Sequence, residues 1–461
     1  MAAIAKRGKV RATTELEAVI DGLRVKALTQ LPPFLLSLLK PLRSASTGLS
    51  TNLPVLQTSL LLKYQPFYAF LHTNSPRLAK QVERGYVNAA RAYYETGMRR
   101  YTRALAIIKN RTIEKSDLIG MVSSEAAEAV LRTPGVQQAY ERLRYADADK
   151  GSVVLAYLAD DKAYVSRQSL VFANVQRVPV EALFRSANLV LVDNSSAEFT
   201  FIVRFFQKAP SREATLGTPG GSHVDAMSDA GRSHSGGRKR LGMTELNDGL
   251  KDAERIWHEV FDPALDYCTT FFQSILSPSP PPAIPLLTLI RLNDRLLATC
   301  DARGTLPLIP YLTGQKLAMW PVYRKEMDQH VESLKKLGDE AEGKGLAGFM
   351  GRGVKDGAVR QVANRYAALF TCVTALSEEA EEAMIFSSMT RLRAELVRLI
   401  QLQSLKIKPT SQQHSFLCSI YEVIIHELVS GPGQTTHPKL QTELSYFRTR
   451  EEEARRRITV S

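Results

Sequence analysis

The sequence predicts a mainly α-helical protein built of elongated helical bundles or rods, and three observations carry that prediction. Apolar residues recur at steps of three and four, most clearly at Val82, Tyr86, Ala89, Tyr93, Gly97, Tyr101, Leu105 and Ile108. That spacing puts them on one side of a helix. Clusters of proline, glycine and serine punctuate the chain where helices must stop. The helical period is lost in only one apolar region, residues 151–176.

Taken in order, residues 1–13 form a basic stub expected to be disordered, and an N-terminal helical domain is expected over 14–206. Its first helix has Thr13 and Thr14 as N-cap candidates, with Glu15 and Glu17 complementing the dipole. Pro32 and Pro33 are expected to interrupt it and Pro41 to end its continuation. Leu60 to Leu71 is densely apolar and aromatic, and Ser75-Pro76 then starts a long helix through about Ile108, Pro76 suiting the first turn. At about 1.5 Å per residue that helix is about 45 Å long. It predicts a packing face with Tyr86, Tyr93 and Tyr101 buried.

Residues 151–159 and 169–175 predict a short β-hairpin, with buried helical turns as the alternative for such short apolar runs. Helix returns after Pro179, with Leu183, Phe184, Ala187 and Leu191 on one stripe and Phe199, Ile202, Val203 and Phe206 on another. Residues 207–245, rich in Ser, Gly and charge, are expected to form a disordered linker, because they bury too little apolar surface to offset ordering entropy. A C-terminal helical domain is expected over 246–461, with breaks at 277–285 and 338–357. Its last helices cover 377–402 and 415–429, the latter with a stripe of Phe416, Ile420, Ile424 and Leu428.

Composition narrows the function. No apolar run approaches the roughly 20 residues that span a bilayer, so membrane contact is expected to be peripheral. The four cysteines, Cys268, Cys300, Cys372 and Cys418, form no CxxC pair and read as small buried groups in a reducing, cytosolic setting. The basic start lacks the length and amphipathic face of a transit peptide. The formal charge of +13 invites a nucleic-acid reading. However, no RRM, zinc-finger or basic-zipper pattern organises it, and anionic lipid headgroups attract such a surface equally well.

Chemical motifs fail on inspection. Gly338 to Gly345 follows the phosphate-loop pattern until its last place, where Gly345 replaces the magnesium-binding hydroxyl. Asp339, Glu340 and Glu342 would also put carboxylates where phosphate oxygens must sit. The overlapping GxGxxG, Gly343 to Gly348, follows a helical run instead of a strand. The segment reads as a glycine-rich linker that holds no nucleotide at Lys344. His414 with Cys418, and Glu422 with His426, each offer two ligands on a helical face, too few for zinc. Asn110 and Asn194 fit the glycosylation pattern, which has no meaning in a cytosolic chain. No nucleophile-and-base arrangement is present. No catalytic, cofactor-binding or metal residue is assigned, and no cofactor.

Two blocks carry a family resemblance. The first holds LLKYQPFYAFL (Leu61 to Leu71), YVNAARAYYETGMRRYTRAL (Tyr86 to Leu105) and SDLIG (Ser116 to Gly120); the second holds EALFRS (Glu181 to Ser186) and DNSSAEFTFIVRFF (Asp193 to Phe206). In this order they resemble the vacuolar protein sorting-associated protein 52 family, subunits of the Golgi-associated retrograde protein tethering complex, GARP. Looser matches extend the resemblance over roughly residues 16–450. It implies the helical-rod fold of multisubunit tethering complexes and no enzymatic activity. The implied work is tethering of endosome-derived vesicles in retrograde transport to the trans-Golgi network. The implied partners are sister GARP subunits, syntaxin-type Golgi SNAREs and a Golgi Rab GTPase, met at the cytosolic face of the trans-Golgi network and endosomes. Family members begin with a long coiled coil that joins the sister subunits, so the resemblance implies a chain shortened at its N-terminus. The alternative reading of the residues is a basic helical nucleic-acid-binding protein.

Overall fold

The computed structural model describes residues 11–43, 53–110, 118–121, 140–147, 178–206, 236–343, 354–377, 382–432 and 436–460. Its main helices are α1 (Arg11–Ser37), α2 (Gln65–Asn74), α3 (Pro76–Asn110), α4 (Val180–Phe206), α5 (Gly236–Leu276) and α6 (Ala283–Ala302). The remainder are α7 (Ile309–Ala341), α8 (Asp356–Leu376), α9 (Glu382–Ser404), α10 (Thr410–Ser430) and α11 (Pro438–Val460). No strand occurs among the described residues, so the protein is mainly α-helical. The hairpin expected at 151–176 lies outside them.

Two compact units emerge, and neither is a continuous half of the chain. One takes Met1–Arg103, Val190–Thr270 and Cys300–Ile309; the other takes Ala104–Leu189, Phe271–Thr299 and Pro310–Ser461. This division differs from the consecutive domains 14–206 and 246–461 suggested by the position of the Ser/Gly-rich stretch.

In the first unit the core is aromatic. Tyr86 packs on Phe201, with ring centroids 5.1 Å apart, and Tyr94 lies 4.4 Å from Phe261. Trp257, fully buried, stacks on Phe261 at 5.1 Å and donates its indole N–H to the Ser195 carbonyl at 3.4 Å. The buried face of α3 runs through Val82, Tyr86, Ala90, Tyr94 and Met98 to Tyr101. Tyr93 is only half-buried, which corrects the expected stripe. Residues seven and eight after Tyr86 flank the same helical face, and the partner helix α4 stands on the side of Tyr94.

In the second unit α8 packs against α9, α10 and α11, and α10 pairs closely with α11. Ile420, Ile424 and Leu428 are buried as their spacing predicts, while Phe416 is half-buried. Glu443 on α11 is buried, accepting the Tyr366 hydroxyl at 2.6 Å and pairing with Arg393 at 2.8 Å. Its charge is therefore compensated, as burial of an ion requires.

Several helix ends differ from expectation. α1 starts at Arg11 and continues through Pro32 and Pro33 to Ser37. These prolines remove the amide partners of the Leu28 and Thr29 carbonyls; Thr29 is exposed, so water can serve its carbonyl, and burial of Pro32 helps hold the helix together. α5 begins at Gly236, inside the stretch read as linker, where Arg238 to Leu241 are good helix formers; residues 207–235 lie outside the described set. α7 runs to Ala341, so Gly338 lies in a last helical turn and not in a loop.

Candidate functional site

Helix α1 presents the most conspicuous surface. Leu16, Val19, Ile20 and Leu23 recur at steps of three and four and are each 59–62 % exposed. A stripe at that spacing is the seam that one amphipathic helix offers another. Written as a heptad, Leu16 and Leu23 take the d places and Ile20 the a place between them, with Glu17 and Arg24 at the flanking e places. The stripe adjoins a groove of about 430 Å³ lined by Val25, Leu28, Pro32 and Leu36 of α1 with Leu78 and Gln81 of α3. Beside it, Phe34 meets Tyr64 edge-on at 5.1 Å, and Tyr64 stacks on Phe67 at 5.8 Å, with Phe34 and Phe67 both exposed. These groups offer apolar area and shape, which suits binding.

The same unit holds a buried polar cluster. Glu198 of α4, fully buried, accepts hydrogen bonds from Tyr86 at 2.5 Å, from Gln57 Nε2 at 2.6 Å and from Tyr94 at 3.0 Å. Burial raises its pKa from 4.5 to about 6, and the three donors oppose that rise. Gln57 Nε2 also donates to the Tyr86 hydroxyl at 2.8 Å, and the cluster is closed to solvent. It ties α3, α4 and the short π-helical segment Gln57–Leu61 together and has the character of a structural lock.

The turn at Leu118–Met121 is clamped in the second unit. The Ile119 N–H donates to His330 Nδ1 at 3.3 Å and the Gly120 N–H to Ser333 Oγ at 3.2 Å, both on α7. Arg365 of α8 donates to the Met121 carbonyl at 2.8 Å. A Cβ on Gly120 would collide with the Ser333 backbone carbonyl, so the close approach itself demands glycine.

The residues singled out as chemical candidates are placed as follows. Asp339 and Glu342 both pair with Arg398 of α9, at 2.7 and 2.6 Å, so two acids of the phosphate-loop-like string are held by a cation. Lys344, Gly345 and Gly348 lie outside the described residues. Cys418 and Glu422 do come together, with Glu451 of α11: the thiol is 3.7 Å from Glu422 and 3.6 Å from Glu451. Arg455 bridges both carboxylates at 3.0 and 2.6 Å, taking the place a cation would occupy. His414 and His426 are not part of this grouping. Cys268, Cys300, Cys372 and Cys418 are free and buried, and burial raises the first three thiols to about 12, 11 and 12. Asn110 ends α3, and Asn194 lies within α4 with its amide bonded to the Val190 carbonyl at 2.7 Å. No helix among the described residues is long and apolar enough to cross a membrane.

The α1 stripe was not singled out in the sequence, although its spacing is plain there. Periodicity reports that a helix has an apolar face and is silent on whether the chain itself covers it.

Comparison with known proteins agrees with the ordered phrases around these elements. The family model described as Vps52, C-terminal matches residues 88–216 and 248–453, more than half of the chain. The vacuolar protein sorting-associated protein 52 homolog of Canis lupus familiaris is 25 % identical over 420 residues, covering 91 % of this chain and 50 % of that protein. The homolog of Rattus norvegicus is 33 % identical over 196 residues, 42 % of this chain and 26 % of its own length. The vacuolar protein sorting-associated protein 52 of Schizosaccharomyces pombe is 21 % identical over 440 residues, 93 % of this chain and 73 % of its own length. The chain thus spans about half the length of the dog relative. No solved structure matches. The family match runs through the buried face of α3, the Glu198 helix and the clamped Leu118–Met121 turn, and by it this chain belongs to the Vps52 family.

Proposed function

We propose that this chain is a subunit of the GARP complex and tethers endosome-derived vesicles at the trans-Golgi network in retrograde transport. It works by binding and not by making or breaking bonds. Its partners are sister GARP subunits, syntaxin-type Golgi SNAREs and a Golgi Rab GTPase. Its place is peripheral, on the cytosolic face of the trans-Golgi network and endosomes. Holding two membranes close raises the effective concentration of the SNAREs between them, which promotes fusion without new chemistry.

The observation that carries this reading is the α1 stripe. Leu16, Val19, Ile20 and Leu23 lie on a helix whose residues 14–26 are exposed on every side. A face of that kind fits a helix of a sister subunit, apolar seam to apolar seam, with Glu17 and Arg24 selecting the register. Names of relatives that speak of vacuolar protein sorting support the same role. The test is affinity purification of the full chain from cells. Sister subunits should co-purify with the wild type and be lost from a Leu16→Ser, Ile20→Ser, Leu23→Ser variant whose helix content is unchanged. Absence of sister subunits from the wild-type eluate would sink the reading.

A further inference from the structure

The outward face of α3 bears a row of exposed arginines. Arg77, Arg84, Arg91, Arg99 and Arg103 are all exposed, and none forms an ion pair or side-chain hydrogen bond among the described residues. The first three are seven residues apart, a step that drifts by about 20° around a helix. The eight-residue step to Arg99 reverses the drift, so the guanidinium groups stay on one side. The row is about 39 Å long at 1.5 Å per residue and lies in one compact unit. Glu95 is the one acid on this face, and it too makes no ion pair among the described residues. The remaining exposed groups between the arginines are Gln81, Asn88 and Ala92.

We propose that this face of α3 docks on the headgroup phosphates of an anionic lipid bilayer. Three features select that occupant. The cations are arginines, whose planar fork suits phosphate oxygens better than an ammonium does. Protein interfaces need a large apolar or aromatic centre, and the exposed α3 groups between the arginines, Gln81, Asn88 and Ala92, supply none. Single-stranded nucleic acid needs aromatic stacking platforms, and the exposed positions between the arginines provide none. A linear row of cations with only the small Ala92 as an exposed apolar group between them matches the plane of a charged leaflet, where each arginine strengthens partition about fivefold. The inference rests on the membrane-peripheral part of the proposed function and on none of its protein partners.

The test is co-sedimentation of the full chain with phosphatidylcholine vesicles, with and without phosphatidylserine. The wild type should bind only the anionic vesicles and be released by high salt. An Arg77→Gln, Arg84→Gln, Arg91→Gln, Arg99→Gln variant should lose about a hundredfold or more in partition. A control with Lys335, Lys336, Lys406 and Lys408 changed to Gln removes the same charge elsewhere and should bind like the wild type. Equal loss in both variants, or wild-type binding that ignores phosphatidylserine or salt, overturns the proposal. So does preference for a DNA duplex over anionic vesicles at equal phosphate, or loss of a sister subunit by the arginine variant with vesicle binding unchanged. Failure of sister subunits to co-purify would leave this assay untouched, so the two readings fail separately.

Discussion

Tyr86 donates its hydroxyl proton to Glu198 across 2.5 Å, although 112 residues separate them in the chain. The bond joins the long helix α3 to α4 in the middle of an aromatic core. A carboxylate buried this deeply is tolerated because Tyr94 and Gln57 also donate to it, leaving little of its hydrogen-bonding capacity unmet. The cluster fixes the rotation of α3: with Tyr86 and Tyr94 both bound to Glu198, Tyr93 is left at the margin.

Glu198 should make stability depend on pH in a defined window. Its pKa rises from 4.5 to about 6 on folding, so the folded state holds the proton more tightly than the unfolded one. That contribution is fully present below the unfolded value and is lost as pH climbs through the folded value. At 1.36 kcal/mol per pKa unit the loss is about 2 kcal/mol. Glu198→Gln should flatten that part of the slope between about pH 4.5 and 6 in urea denaturation, while Glu198→Ala, which takes away the acceptor of the Tyr86 and Tyr94 hydroxyls, should cost about 3 kcal/mol at pH 7. An unchanged slope in Glu198→Gln would show that the carboxylate does not titrate in this window.

The two adjacent tyrosines should respond differently. Tyr94 is 2 % exposed and bonded to Glu198, so Tyr94→Ala should cost about 3–5 kcal/mol. Tyr93 is half-buried, with its hydroxyl taking a backbone hydrogen bond from Leu53, and Tyr93→Ala should cost about 1–2 kcal/mol. Denaturation midpoints of the two variants side by side decide it. Equal losses would mean that α3 is rotated from the orientation described.

Much of this architecture can be read from the sequence, and its limits have physical causes. The long helix beginning at Pro76, the burial of Leu183, Phe184, Ala187 and Leu191, and the buried thiols follow from spacing and composition. Which of Tyr93 and Tyr94 faces inward does not, because both lie within the width of one helical face and the partner chooses. Glu198 was hidden for a related reason: an acid in a helix that also carries Glu181 and Asp193 gives no sign that Tyr86 and Gln57, far away in sequence, will satisfy it. The continuity of α1 through Pro32 and Pro33 reverses a local rule by tertiary packing around Pro32. The division into units escapes a linear reading because each takes three separate stretches of chain.

Gly120→Ala tests the clamped turn. The new methyl group would meet the Ser333 backbone carbonyl, which sits in α7 and cannot swing aside as a flexible side chain does. The expected cost is about 1–3 kcal/mol, with faster amide exchange at Ile119 and Gly120, whose N–H groups bond His330 and Ser333. Wild-type exchange and stability in the variant would show that the turn does not rest on α7.

The last prediction separates tethering from nucleotide-driven activity. If the chain works as a GARP subunit, cells lacking it should strand recycling SNAREs and sorting receptors in endosomes or small vesicles, because docking fails while fusion chemistry stays intact. Lys344→Ala should restore sorting fully. The helical turn before Lys344 has Asp339 and Glu342 held on Arg398, and carboxylates at those places repel phosphate instead of cradling it. Removing residues 60–108 should not restore sorting, since it takes away α3 with Tyr86 and Tyr94 and leaves Glu198 buried without those two donors. Sorting in the rescued cells is the readout, with the abundance of each protein measured alongside. Failure of a stably folded Lys344→Ala chain, or full function of the deleted one, would point to a nucleotide-driven activity in place of tethering.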